Sequence, residues 1–143
     1  MTFWFSHLKW KIKKMIFSIY LKKFSYFCRM EFIREIFYYK DYYINFFNSL
    51  NEDEKLKFNW TLQLIATINR VPEKNLKHLA GTSGLYEVRV ELNSNIYRVF
   101  CFFDKGNLVV LMNGFQKKTQ KTPKNEIELA ERIKKEYFDE KGK

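Results

Sequence analysis

The sequence predicts an α+β domain in which an antiparallel β-meander packs against a helical hairpin and a C-terminal helix. Three segments between residues 84 and 115 have the composition of strands and are separated by short polar turns. Two amphipathic helical segments precede them and one follows. The chain has 143 residues and 46% hydrophobic content, which suits one ordinary domain. The predicted element order is β-α-α-β-β-β-α.

The first predicted strand covers residues 30–39 (MEFIREIFYY), where aromatic and β-branched residues dominate. The helix that follows has one continuous apolar stripe, which consists of Tyr42, Tyr43, Phe46, Phe47 and Leu50. The sequence near residues 49–51 ends this helix.

A second helix is predicted to start at Asn51, which can cap it while Glu54 occupies the third helical position. Its expected apolar face repeats every four residues and consists of Leu56, Trp60, Leu64 and Ile68. Val71 and Pro72 are expected to end the helix. Two successive helices predict a hairpin.

The first strand of the meander, LYEVRVE, alternates cleanly. One face carries Tyr86, Val88 and Val90, and the other carries Glu87, Arg89 and Glu91. The next strand (96–103) is apolar on both faces except for Arg98, which predicts a central strand covered on both sides. Turns at 92–95 and 104–107 connect these strands to the third, at 108–115.

The last predicted helix begins near Thr122 and Pro123, which resemble an N-cap followed by proline at the first helical position. Its expected buried face consists of Ile127, Ala130, Ile133 and Tyr137.

The formal net charge of +10 suggests an anionic partner, but it is unevenly distributed. Residues 1–29 carry seven cations and no acid, whereas the rest of the chain carries 19 cations and 16 acids. Within that remainder, residues 74–124 carry nine cations and three acids. The local excess, not the overall charge, points to a binding surface.

The composition predicts a boundary between a basic aromatic leader (1–29) and a domain (30–143). The leader lacks the uninterrupted apolar run of a secretory signal, and its apolar run is too short to span a bilayer. Three interpretations remain: a basic helix on a membrane surface, a nucleic-acid-contacting extension, or sequence upstream of a start at Met30. No stable membrane association is expected.

Cys28 and Cys101 form no disulfide framework and have no metal-ligand spacing, so we expect a reduced compartment and no metal. The sequence contains no paired-carboxylate site, metal-binding box, glycine-rich phosphate loop or nucleophile elbow. An enzyme of this sequence would act through cations.

Arg98 stands between Ile96 and Phe100 on one face of its predicted strand. A charge there must be paired or must line a cleft. One hypothesis is a structural salt bridge with Glu87 or Glu91, and the other is a phosphate clamp, which suits a bidentate guanidinium.

Arg89 has a similar pair of interpretations. Two acids flank it on the face opposite the valines, which is typical of a solvated position. Its place on the strand adjacent to that of Arg98 favours a shared site.

The segment GFQKKTQKTP (114–123) follows the third meander strand and leads into a helix. It is either a solvated loop or a phosphate-binding segment, with the helix N-terminus adding N–H donors. Phe115 is expected either to stack on a base or to join the core. His78 has no partner at a functional spacing, which favours a loop or cap role.

Taken together, three motifs resemble the phage-derived HigB branch of the RelE/ParE toxin superfamily. They are L-Y-E-V-R, I-Y-R-V-F-C-F-F and G-F-x-K-K-T-Q-K-T-P, within residues 84–137 and preceded by LKHLAG. The resemblance covers most of residues 30–137 and implies a RelE-like fold.

The resemblance implies a cytoplasmic toxin without a cofactor, neutralised by an antitoxin that is often a helix-turn-helix protein, and cutting mRNA at the ribosome. The catalytic residues carried over are Arg89, Arg98, Lys117 and Lys118. The substrate-binding candidates are Lys77, Phe115 and Lys121. Some relatives supply a tyrosine or histidines for proton transfer, but TQKTP has none and Tyr137 is expected in the core. The general acid and base are therefore unassigned.

Three alternatives remain open at the level of sequence. The first is a ParE-like inhibitor of DNA gyrase that cuts nothing. The second is a non-catalytic nucleic-acid-binding module that uses the same basic surface. The third is an inactive relative retained for antitoxin binding or autoregulation.

Overall fold

A computed structural model describes residues 31–142, and these residues form an α+β fold of five strands and three helices. The elements are β1 (Glu35–Tyr38), α1 (Tyr42–Asn48), α2 (Glu52–Thr67), β2 (Leu76–His78), β3 (Tyr86–Leu92), β4 (Asn95–Asp104), β5 (Leu108–Lys117) and α3 (Lys124–Lys141). The predicted elements are all present, although β1 is shorter than predicted. The expectations for residues 1–29 lie outside the described residues.

The sheet has the strand order β1-β5-β4-β3-β2. Strands β3, β4 and β5 form the predicted antiparallel meander. β1 pairs in parallel with β5, so the sheet is mixed and not wholly antiparallel. β2, which the sequence did not predict, pairs antiparallel with β3 and places Lys77 opposite Glu87. Three residues are too few to show a period of two, which explains why this strand was missed.

The core lies on both faces of the sheet, as the apolar central strand predicts. One cluster packs beneath the helical hairpin and includes Tyr43, Phe58, Leu62, Ile65, Val88 and Val99. The other packs beneath α3 and includes Phe100, Phe102, Met112, Ala130, Ile133 and Tyr137. In the predicted buried face of the last helix, Ala130, Ile133 and Tyr137 are buried, and Ile127 is partly buried against the same cluster.

Helix α2 starts as predicted but buries a different face. The side chain of Asn51 accepts the N–H of Glu54, and Glu54 accepts the N–H of Asn51, which completes the capping box. The predicted apolar stripe is wrong: Leu56 is 66% exposed, Trp60 52% and Ile68 39%. The buried residues are instead Glu54, Phe58, Thr61, Leu62, Ile65 and Ala66. A strict four-residue repeat turns around a helix of 3.6 residues per turn, so it cannot stay on one face.

Helix boundaries also differ slightly from the predictions. Helix α2 ends at Thr67, before Val71, and the guanidinium of Arg34 binds the carbonyls at this end. Pro123, and not Thr122, is the N-cap of α3, and no side chain caps this helix. None of the helices within residues 31–142 has the length and apolarity needed to cross a membrane.

Candidate anion-binding cleft

A cleft of about 740 Å³ opens at one end of the meander, where the β3–β4 turn meets the end of β5. Its lining residues are Arg89, Glu91, Ser94, Asn95, Ile96, Arg98, Gln116, Lys117, Lys118, Thr119 and Gln120. All four predicted catalytic residues belong to this lining. A depression of equal volume beside α3, lined in part by Thr82, Glu128 and Arg132, contains none of the predicted site residues.

Strand register brings the two arginines together. Arg89 pairs directly with Arg98 across β3 and β4, and Arg98 pairs with Phe115 across β4 and β5. Because opposed residues of antiparallel strands project to the same face, both guanidinium groups emerge on the α3 side of the sheet. The two strands therefore place two cations side by side.

Arg98 is buried, with only 2% of the residue exposed. Its Nη1 donates to the carbonyl of Tyr97 at 2.9 Å, and its Nη2 donates to Oε1 of Glu91 at 3.4 Å. Its Nε is 3.7 Å from Oε1 of Glu87 and has no hydrogen-bond partner among the described residues. The ion pairs expected of a structural arginine are thus present, in a residue that also lines the cleft.

Arg89 is not fully solvated, because only 25% of its side chain is exposed. Its Nη1 is 3.4 Å from the carbonyl of Glu73, and its Nε is 3.6 Å from Oε1 of Glu87. Glu87, itself buried, lies between the two arginines. The solvated interpretation of Arg89 is therefore wrong.

The electrostatics of this cluster favour the binding of an anion in addition to the Glu87 and Glu91 carboxylates. Burial, followed by repulsion from Arg89, lowers the pKa of Arg98, while Glu87 and Glu91 act in the opposite direction. Four cations and one carboxylate line the cleft. Cations that are partly removed from water bind an anion more strongly than cations in bulk solvent. The cleft is suited to a phosphate group.

The two lysines reach the cleft from the end of β5. Lys117 is the last residue of the strand, lies opposite Ile96 and is half-buried, whereas Lys118 is exposed in the following connection. Beside them, Gln116 donates to Oδ1 of Asn95 at 3.2 Å across β4 and β5. Both lysines therefore line the same cleft as the two arginines, and their ammonium groups are more flexible than the guanidinium groups.

The structure does not bring the predicted substrate-binding residues into the lining. Lys77 pairs with Glu73 at 3.3 Å on the edge strand β2. Phe115 packs against Phe100, with ring centroids 5.5 Å apart, at the margin of the α3-side cluster. Lys121 is exposed in the connection before α3 and lies outside the lining. These positions favour the core interpretation of Phe115.

Two further expectations need correction. The N-terminal turn of α3 contributes no residue to the lining of the cleft, and Asn125 and Ile127 line the other depression instead. The expected N–H donors are therefore not part of the cleft lining. His78 lies at the end of β2, not in a loop, and packs edge-on against Tyr86 with centroids 5.0 Å apart.

Sequence reasoning missed the polar neighbours of the four cations. The sequence predicts Glu91 only as a salt-bridge partner of Arg98, and Asn95 only as part of a turn. The alternation of β3 could have placed Glu91 in the site, because it lies two residues after Arg89 and shares its face. Asn95 and Gln116 depend on the register of β4 and β5, which the sequence does not specify.

Comparison with models of known protein families identifies a family that this chain matches. Residues 45–135, more than half of the chain, match the family model described as "Phage derived protein Gp49-like (DUF891)". The matched range includes every residue that lines the cleft. No curated protein matches the chain. Within residues 31–142 there is also no group of three or more histidine, cysteine, aspartate or glutamate side chains that could hold a metal ion.

Proposed function

This chain belongs to the Gp49-like family of phage-derived proteins, and we propose that it is the toxin of a type II toxin–antitoxin system that cuts mRNA. The observation that carries the proposal is the cross-strand pair of Arg89 and Arg98 beside Lys117 and Lys118. A site rich in guanidinium and ammonium groups suits RNA phosphates. We further assign the chain to the RelE/HigB-like branch, on the strength of its β-α-α start and antiparallel meander.

The proposed reaction needs no metal. The 2′-hydroxyl of RNA attacks the adjacent phosphate, and negative charge develops on the phosphate oxygens. Arg89 and Arg98 bind this charge through fixed donors, and Lys117 approaches from the end of β5. Removing one preorganised donor of this kind costs on the order of 3 kcal/mol of transition-state stabilisation.

The proposal includes a setting and partners. The toxin acts in the cytoplasm on mRNA at the ribosome, without a cofactor. Its antitoxin is encoded by a neighbouring gene and is of the helix-turn-helix type. Its basic cleft would engage the RNA backbone, and sequence preference would come from contacts to the bases.

A growth experiment separates this proposal from its alternatives. The full chain is induced in bacteria with and without the neighbouring gene, and new mRNA 5′ ends are mapped. We expect growth arrest with new 5′ ends, both suppressed by the neighbouring gene. Arrest without RNA cleavage would instead support a gyrase inhibitor. RNA binding without cleavage or arrest would indicate a nucleic-acid-binding module, and no arrest or binding would overturn the toxin proposal.

Variants then test the residues. Lys117→Ala is expected to disturb the fold less than a change at Arg98, because Lys117 is half-buried at the end of a strand whereas Arg98 is fully buried. Arg98→Lys keeps a charge but loses the planar donors, so it tests bidentate binding in a buried position. We expect each to lower cleavage at least 100-fold, with folding checked by thermal denaturation. Full cleavage and toxicity in a folded Lys117→Ala protein would remove Lys117 from the site.

A further inference from the structure

The proton acceptor of the proposed reaction is the missing part of the site. Glu91 is the one carboxylate among the described residues that line the cleft, and no histidine or tyrosine lines it there. Its side chain is 63% exposed, whereas that of Glu87 is 5% exposed and is enclosed by the two arginines. Glu91 is therefore the carboxylate that a ligand in the cleft can reach.

The sheet register sets the backbone position of Glu91 relative to Arg98, and the Glu91 side chain contacts the Arg98 guanidinium. Glu91 pairs with Ile96 across β3 and β4, and its Oε1 is 3.4 Å from Nη2 of Arg98. Each guanidinium nitrogen of the Nη type carries two hydrogens. A phosphate bound to the remaining N–H groups of Arg98 would lie beside the Glu91 carboxylate, since both would share one planar group.

The presence of this carboxylate is unfavourable for simple anion binding. Glu91 competes with a phosphate for Arg98 and adds a negative charge among Arg89, Lys117 and Lys118. A site that only binds RNA backbone would bind more tightly without it. A proton acceptor, in contrast, must lie next to the phosphate that is attacked.

We propose that Glu91 is the general base of RNA cleavage, an inference that rests on the proposed function. The Glu91 carboxylate takes the proton of the 2′-hydroxyl, and the 2′-oxygen forms a bond to phosphorus. The bond from phosphorus to the 5′-oxygen breaks, and that oxygen takes a proton from the ammonium group of Lys117. The products are a 2′,3′-cyclic phosphate and a 5′-hydroxyl, and exchange with water restores both side chains.

The test compares cleavage with binding in the full-length protein. Wild type, Glu91→Gln and the matched control Glu128→Gln, an exposed position on α3 outside the cleft, are assayed on a defined mRNA, free and in a reconstituted translation mixture. Binding is measured on an oligonucleotide blocked by 2′-methoxy groups. We expect Glu91→Gln to lower the single-turnover rate 10² to 10⁴-fold, with equal or tighter binding. The control is expected to match wild type.

Chemical rescue distinguishes a general base from a carboxylate that has only a structural role. Glu91→Ala is assayed with added formate, which can occupy the vacated volume, and Glu91→Asp retains a shorter carboxylate. Partial recovery in both supports the inference. Glu91→Gln that cleaves within threefold of wild type, or loses activity only in proportion to RNA binding, overturns it while the proposed function stands. Wild type that cleaves neither free nor translated RNA overturns both.

Discussion

Arg89 and Arg98 lie directly opposite each other on β3 and β4, with the Glu87 carboxylate close to both. Oε1 of Glu87 is 3.6 Å from Nε of Arg89 and 3.7 Å from Nε of Arg98. Like charges on directly opposed residues repel each other. The buried carboxylate offsets this repulsion, so the fold and the proposed anion site depend on the same three side chains.

Glu87→Gln should destabilise the fold by about 3 kcal/mol, because breaking a buried ion pair leaves uncompensated charge. Urea denaturation of the full chain measures the free energy of unfolding, with Glu128→Gln as the control. Adding Arg98→Met to Glu87→Gln should restore part of the loss, because it removes the buried cation. A single variant within about 0.5 kcal/mol of wild type would show that the ion pairs contribute little, as surface pairs do.

The pattern of residues predicted the sheet better than the helical hairpin. Alternation identified β3, and an apolar run with one arginine identified β4 as central, because burial on each face leaves a direct trace in the sequence. In α2 the buried face includes Thr61, Ala66 and the capping residue Glu54. These three residues weaken the apolar signal of a face that also carries Phe58, Leu62 and Ile65. The exposed Leu56 and Trp60 belong to a competing four-residue repeat that resembles a buried face.

The candidate site was only partly predictable, for a different reason. Charge excess and strand assignment identified the four cations of the cleft. The exclusion of Lys77 and Phe115 depends on where edge strands and aromatic packing place them. Such placement is set by register and tertiary packing, which a single sequence specifies weakly.

Gly114→Ala should destabilise the fold by about 1 to 3 kcal/mol through overpacking. A Cβ at this position in β5 would lie within 2.8 Å of three ring atoms of Phe46 on α1. That ring also packs edge-on against Phe58, with centroids 5.5 Å apart, so it has little room to move. Thermal and urea denaturation measure the loss.

A double-mutant cycle with Phe46→Leu isolates this contact. In the Phe46→Leu background the smaller side chain should accept the new methyl group, so that the cost of Gly114→Ala falls. A coupling energy of at least about 1 kcal/mol is expected for two residues in direct contact. Additive effects would show that Gly114 is required for another reason.

Asp104→Asn should lower stability at neutral pH by about 2 kcal/mol, since hydrogen bonds to a charged group contribute more than neutral ones. Oδ2 of Asp104 accepts from the Tyr137 hydroxyl at 2.7 Å and pairs with Lys141, which ties β4 to the end of α3. Urea denaturation measures the free energy of unfolding of the wild type and of Asp104→Asn, and the difference between them tests the prediction.

The same pair of proteins gives a pH signature. The Lys141 ammonium, with help from the Tyr137 hydroxyl, holds the pKa of Asp104 below its ordinary value of 3.8. The carboxylate therefore stabilises the folded state fully above that value, and the contribution is lost as pH falls through the lowered pKa. The gap between wild type and Asp104→Asn should close on acidification. A gap that stays constant from pH 7 to pH 3 would contradict this assignment.

Lys118→Gln should weaken RNA binding through electrostatics alone. Lys118 is exposed and lines the cleft, so removing its charge should leave folding unchanged and weaken binding to many RNA sequences alike. For single-stranded RNA, the slope of log K against log salt concentration should fall in magnitude by about 0.7.

Lys105→Gln is the matched control, because this exposed lysine lies in the turn at the opposite end of β4 from Asn95. Binding of a 2′-methoxy oligonucleotide across a salt series gives both slopes, and equal slopes for the two variants would place the RNA backbone elsewhere on the protein.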